Sequence, residues 1–132
     1  MKIVLDTNIL VSAIVFRGKP KRLIEEAIEN GIVLYISPFI ENELNRVLKE
    51  KFSFDKERLA EVRCFIKDNF IKTKPKNLPK VIKRDISDNN ILALAEEVQS
   101  DYIISGDNDL LELGSYREIP IMTPDQFLEI RD

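Results

Sequence analysis

Four carboxylates in this 132-residue sequence stand where local structure would hold them in place instead of leaving them loose in solvent. Asp6 closes the short apolar run Ile3-Val4-Leu5, and Asp107 follows the stretch Tyr102 to Ser105 after a single glycine. Asp88 lies three and four residues ahead of Ile91 and Leu92, the spacing at which helical neighbours share a face. Glu43 borders the stripe formed by Ile40, Leu44 and Val47; Glu41 borders its opposite side, and helical periodicity alone does not separate the two. Carboxylates brought to one point repel one another by several kcal/mol at low effective dielectric unless a positive charge sits among them. With no histidine and a lone cysteine, Cys64, the ligands on offer are oxygens, which suit Mg²⁺ or Mn²⁺. Such an ion lowers the pKa of the water it binds and neutralises charge on a phosphoryl group during in-line displacement. The predicted chemistry is hydrolysis of phosphodiesters.

Each acid taken singly has a plainer reading. Asp6 can be a turn residue, Asp88 a charge favoured by the helix dipole, and Gly106-Asp107-Asn108-Asp109 a polar turn; Glu43 can be a solvated helix residue. The joint pattern is what points to a site. The absence of histidine also excludes His-dependent nucleophiles and His-based zinc centres, and Cys64 has no partner for an internal disulfide. No run approaches the roughly 18 apolar residues of a spanning helix, and Met1-Lys2 leads straight into a strand-like segment, so the expectation is a cytoplasmic protein without a membrane segment.

The elements that must position these acids alternate. Strands are expected at Lys2 to Leu5, Ile32 to Ile36, Tyr102 to Ser105 and Ile119 to Met122. Helices are expected over Asn8 to Phe16, over Lys21 to Asn30 with Gly31 as its stop, and after Ser37-Pro38, an N-cap followed by proline at the first helical position. Further helices follow over Asp55 to Phe70 and Asp88 to Gln99, and Thr123-Pro124-Asp125-Gln126 has the capping-box pattern that starts a last short one. Residues Ile71 to Arg84, with Pro75 and Pro79, read as an irregular or partly extended connection across the surface. Strands alternating with helices predict one α/β domain over 1–132, built on a mostly parallel sheet between two helical layers. In such sheets ligands bind beyond the carboxyl ends of the strands, where Asp6 and Asp107 fall.

Charge divides along the chain. Residues 1–84 carry 18 Lys and Arg against 11 Asp and Glu, whereas residues 85–132 carry 2 against 12. Arg17, Lys19, Lys21 and Arg22 form one basic stretch, and Lys72, Lys74, Lys76, Lys80, Lys83 and Arg84 another. The division points to a polyanionic partner on one side and a cation-binding region on the other.

The ordered set of motifs resembles the PIN domain family of metal-dependent nucleases. Ile3-Val4-Leu5-Asp6-Thr7-Asn8-Ile9-Leu10 is similar to its first motif, with Asp6 as metal-binding acid and Asn8 as a supporting neighbour. Ser37-Pro38-Phe39-Ile40-Glu41-Asn42-Glu43-Leu44 resembles the second, and this alignment selects Glu43 over Glu41. The stretch from Asp85 to Ala95 resembles the third, with Asp88 in the metal-site role; Ile103 to Leu111 resembles the fourth, with Asp107 as the acid and Asp109 supporting it. The resemblance implies a three-layer α/β/α PIN-like fold and an endoribonuclease that uses Mg²⁺ or Mn²⁺. It also implies a toxin of a toxin–antitoxin pair, as in VapC-like proteins, with a cognate antitoxin and a homodimeric state. Asp6, Glu43, Asp88 and Asp107 would carry the catalysis, with Asp109 joining them on the metal, while Asn8 and Ser105 position ligands. Arg17, Lys19, Lys21 and Arg22 are expected to contact flanking phosphates of RNA, giving an affinity that falls with salt.

Other phosphoryl-transfer domains fit less well. A haloacid-dehalogenase-like phosphatase would want a second aspartate where Asn8 stands. A response-regulator receiver would want an acidic pair at the first strand end, where Leu5 precedes Asp6, and a lysine after a late strand, whereas none follows Lys83. A non-catalytic interaction module remains the alternative from a different class, and it predicts that Asp6→Asn changes no activity.

Overall fold

The computed structural model describes residues 1–80 and 86–131, residue 86 by its backbone alone. Within them the chain runs β1 (Lys2–Leu5), α1 (Thr7–Val15), α2 (Gly18–Glu29), β2 (Val33–Ile36), α3 (Pro38–Phe52), α4 (Lys56–Asn69) and β3 (Phe70–Lys72). It continues through α5 (Ile86–Val98), β4 (Tyr102–Ile104), α6 (Asn108–Leu113), β5 (Ser115–Tyr116), β6 (Ile119–Met122) and α7 (Pro124–Arg131). The six strands form one sheet in the order β3-β2-β1-β4-β6-β5, parallel throughout except for the antiparallel β5–β6 pair at one edge. Helices flank this sheet, so the expected three-layer α/β architecture with a mostly parallel centre is the observed one.

The core follows from which strands are central. Ile3, Val4 and Leu5 of β1 are at most 1% exposed, because a central parallel strand is covered on both faces and admits no polar alternation. Ile103 and Ile104 of β4 are equally buried, and Leu92, Leu94 and Ala95 of α5 join them in the same apolar cluster. Helix starts obey local chemistry. The Ser37 hydroxyl accepts the Ile40 N–H at 3.2 Å, and Asp55 accepts that of Arg58 at 2.8 Å. At α7, Thr123 and Gln126 exchange reciprocal bonds at 3.2 and 2.9 Å, forming the anticipated capping box.

The structure departs from the sequence expectation at four places. Phe70 does not end α4 but opens β3, an edge strand on β2; three residues are too few to show alternation, and Phe70 is buried while Ile71 is half exposed. Asn108–Leu113 is a helix where a polar turn was the plainer reading, because Asp107 caps it and Gly114 ends it with a positive φ of 69°. Helix α2 begins at Gly18, so the break after α1 is confined to Phe16 and Arg17; Arg17 and Gly18 are both at positive φ, and Pro20 is accommodated in the first turn. The β5–β6 hairpin turns on Arg117 and Glu118 at φ of 49° and 68°; a two-residue turn of this hand usually announces itself by Asn-Gly or Asp-Gly, and here it does not. The last part of the expected irregular connection, residues 81–84 with Lys83 and Arg84, and Asp85 of the third motif lie outside the described residues.

Candidate metal centre

The chain returns to one edge of the sheet each time a parallel strand ends, and there its acids meet. Asp6 follows β1, the strand paired with β4, and its backbone N–H donates to the Ile104 carbonyl at 2.9 Å, which fixes the residue at the end of the ladder. Asp107 lies three residues beyond β4. Glu43 comes from the second turn of α3 and Asp88 from the first turn of α5. Asp6, Asn8, Glu43, Asp88 and Asp107 line one polar pocket of about 190 Å³ together with Thr7, Arg46, Lys51 and Ser87.

Hydrogen bonds set the acids. Ser105, fully buried, donates its hydroxyl to Asp6 Oδ2 at 2.7 Å and accepts the Asp107 N–H at 2.9 Å, tying the ends of β1 and β4 together through one oxygen. The Ser87 hydroxyl donates to Glu43 Oε2 at 2.5 Å, joining α5 to α3. Asp107 Oδ2 accepts the Leu110 N–H at 3.1 Å and so also caps α6. Burial pushes the Asp6 carboxyl above its ordinary value; the Ser105 bond opposes this, the Asp107 charge adds to it, the Asn8 backbone N–H opposes it, and the Glu43 charge adds again. Asp6 therefore faces two other acids from within the protein, the condition a cation relieves.

The donor set fits a hard divalent ion. Asp88, Asp107 and Asp109 each offer a carboxylate oxygen within 4.8 Å of the others, and oxygens sharing one such ion lie no more than about 4–5 Å apart. Asp6 and Glu43 are not part of this close trio but face the pocket it borders. Asp88 is buried, whereas Asp107 and Asp109 are partly exposed, so the trio is open to solvent on one side.

Glu41 and the basic stretch lie elsewhere. Glu41 points away from the pocket on α3 and pairs with Lys72 Nζ at 2.5 Å. None of Arg17, Lys19, Lys21 and Arg22 lines the acidic pocket: the nine residues of α1 carry the chain roughly 13 Å away from Asp6 before Arg17 is reached. Arg17 and Lys21 border an apolar cavity of about 350 Å³ between α1, α2 and α4, Lys19 pairs with Asp125 at 2.5 Å, and Arg22 pairs with Glu26 at 3.1 Å. The cations at the acids are Arg46 and Lys51, three and eight residues beyond Glu43 on the same side of α3, a spacing legible on a helical wheel once Glu43 is placed. Thr7 and Ser87 carried no comparable signal, each being a hydroxyl beside an acid in sequence.

The chain is 29% identical over 142 aligned residues to an uncharacterized protein of Methanocaldococcus jannaschii, an alignment covering 98% of this chain and 90% of that one. Its fold is similar to a chain in the crystal structure of VapBC2 from Rickettsia felis bound to a DNA fragment from their promoter. The TM-score is 0.67 and the identity 15%, over 92% of this chain and 97% of the other. A PIN domain model matches residues 2–109, a span that starts at β1 and ends on the last acid of the trio, and the chain therefore belongs to the PIN domain family.

Proposed function

We propose that residues 1–132 form a single PIN nuclease domain that hydrolyses RNA phosphodiester bonds internally, with Mg²⁺ or Mn²⁺ as cofactor, and that it serves as the toxin of a toxin–antitoxin pair. The observation that carries this reading is the meeting of Asp6, Glu43, Asp88 and Asp107 in one polar pocket, with Asp109 beside two of them. Asp88, Asp107 and Asp109 would hold the ion, with Asp6 and Glu43 completing the negative field around it. A divalent ion in such a site supplies a lowered pKa for water and neutralises charge on phosphoryl oxygens.

The chain's own residues do the rest. Ser105 fixes the Asp6 carboxylate in one orientation, and Ser87 does the same for Glu43. The exposed Asn8 stands at the pocket mouth to hydrogen-bond a ligand. Lys51 and Arg46, the latter held by Glu50 at 3.1 Å, take phosphate oxygens at the cleaved bond, and Arg17, Lys19, Lys21 and Arg22, farther along α1 and α2, contact flanking phosphates. The apolar cavity between α1, α2 and α4, lined by Leu10, Ile14, Ile24 and Phe65, supports a protein partner, which this reading assigns to the cognate antitoxin. Among the described residues no helix is long and apolar enough to cross a membrane; a cytoplasmic homodimer is the proposed working state.

Purified wild type and Asp6→Asn, incubated with a structured RNA in Mg²⁺, in Mn²⁺ and in chelator, test the proposal. Cleavage by wild type with metal alone is expected. Equal products from both proteins, or none from either, would remove the nuclease assignment.

A further inference from the structure

A cavity larger than the acidic pocket lies on the other side of α3. A groove of about 810 Å³ runs between α3 and α4, bordered by Glu41, Asn42 and Asn45 from α3, by Arg63, Cys64 and Lys67 from α4, and by Lys72 from β3. Its end lies at Ile36 and Lys72, the carboxyl ends of β2 and β3, on the same sheet edge as the acids. In the strand order β3-β2-β1-β4 the groove and the pocket are separated by about two strand spacings, roughly 10 Å. Helix α3 is the wall between them, presenting Glu43, Arg46 and Lys51 to the pocket and Glu41, Asn42 and Asn45 to the groove.

The groove has the charge of an anion site. Glu41, almost fully buried, is taken by Lys72 at 2.5 Å, and among the described residues neither Arg63 nor Lys67 has a carboxylate within ion-pair distance. Both are exposed. Asn45 Oδ1 is buried with no hydrogen-bond partner among the described residues, which is unusual for a buried polar group. Ile36, Ile66 and Phe70 give an apolar floor. Cations on the rim, two amides on one wall and an apolar floor match a nucleotide chain, with phosphates outward and bases inward.

We propose that this groove is a second subsite for the RNA substrate, receiving the single-stranded segment that leaves the acidic pocket, with Arg63 and Lys67 on its phosphates and Asn42 and Asn45 facing its bases. The inference rests on the nuclease reading for its substrate class. It makes the two cavities one path along the carboxyl edge of the sheet, long enough that a decanucleotide fills both and a dinucleotide only the first.

Cys64, the sole cysteine and exposed in the groove, gives a site-specific readout. On an Asp6→Asn background, which leaves the probe uncut, saturating decauridylate should slow alkylation of Cys64 by roughly fivefold or more, and diuridylate should not. In the same background Arg63→Ala with Lys67→Ala should weaken decauridylate binding about fivefold and lower the log-log salt slope by about 1.4, close to 0.7 for each single-strand phosphate contact. In otherwise native protein the double variant should raise KM for the decamer and leave kcat and diuridylate cleavage unchanged. Unprotected Cys64 together with an unchanged salt slope would overturn the subsite even if the native protein cuts RNA. Protection without any cleavage would keep the subsite and overturn the nuclease reading. Protection by a decaglutamate peptide with unaltered RNA binding in the double variant would assign the groove to an acidic protein segment and overturn the proposal.

Discussion

The two sides of α3 treat charge in opposite ways. On one side acids are drawn in and partly buried, held by Ser105 and Ser87, and Asp6 is pushed above its ordinary value because burial and its acidic neighbours disfavour its charge. On the other side the single buried acid, Glu41, is already matched by Lys72, and the cations Arg63 and Lys67 stand in solvent. One side is destabilised by its own field until a cation arrives; the other is at rest and attracts an anion only through exposed charge. On the proposed reading, the buried cluster of like charge is where chemistry is done and the exposed cluster of the other sign is where a long substrate is held.

The sharpest way to break this comparison is by rate. Asp88→Asn should lower RNA cleavage by about 10²- to 10³-fold in kcat, as loss of one electrostatic group at a reacting centre does, while Lys67→Ala should alter only KM. Equal kcat losses would erase the distinction. Next comes the response to metal: at 100 times its dissociation constant Mn²⁺ should stabilise the wild type by about 2.7 kcal/mol in urea titrations, and Asp107→Asn should lose most of that gain. Third, Ser105→Ala should cost about 1–3 kcal/mol, since it strips partners from both Asp6 Oδ2 and the Asp107 N–H. Asn45→Ala in the groove, where the amide oxygen has no partner among the described residues, should cost about 0.5 kcal/mol or less.

A further test is in pH. The folded state holds Asp6 above its unfolded value, so it keeps a proton the unfolded chain has released; this favourable contribution is complete below the unfolded value and is lost as pH rises through the folded one. Metal-free wild type should therefore lose stability relative to Asp6→Asn as pH rises above the ordinary aspartate value, read from paired urea midpoints. Parallel curves for the two proteins would show that Asp6 carries no such strain.

Much of this was legible in the residues. Apolar runs that stop at an acid located β1 and its Asp6, and the capping patterns at Ser37 and Thr123 located α3 and α7, because both signals are local. Long-range pairing was less accessible. β3 is three residues whose strand character comes from β2 beside it, and the β5–β6 turn uses Arg117 and Glu118 in conformations that no turn-forming residue type announces. The same limit applied to the sites. Motif order placed Asp6, Glu43, Asp88 and Asp107, but a basic run such as Arg17 to Arg22 says nothing of where a helix will carry it, and Arg46 and Lys51 are singled out only once the phase of α3 is known. The groove draws its lining from three separate elements, one of them β3, so no single stretch of sequence contains its pattern.

Asp107 does two jobs with one carboxylate, and that ties a piece of the fold to what occupies the pocket. Helix α6 has six residues, too few to persist on backbone bonding alone, and its first turn hangs on the Asp107 side chain through the Leu110 amide. A cation that draws this carboxylate toward Asp88 competes with the amide for the same electrons. The Leu110 proton thereby becomes a gauge: its rate of exchange with heavy water tracks how firmly the helix is pinned, and through it an event at the pocket is written into the dynamics of a segment that carries no other part of the site than Asp109.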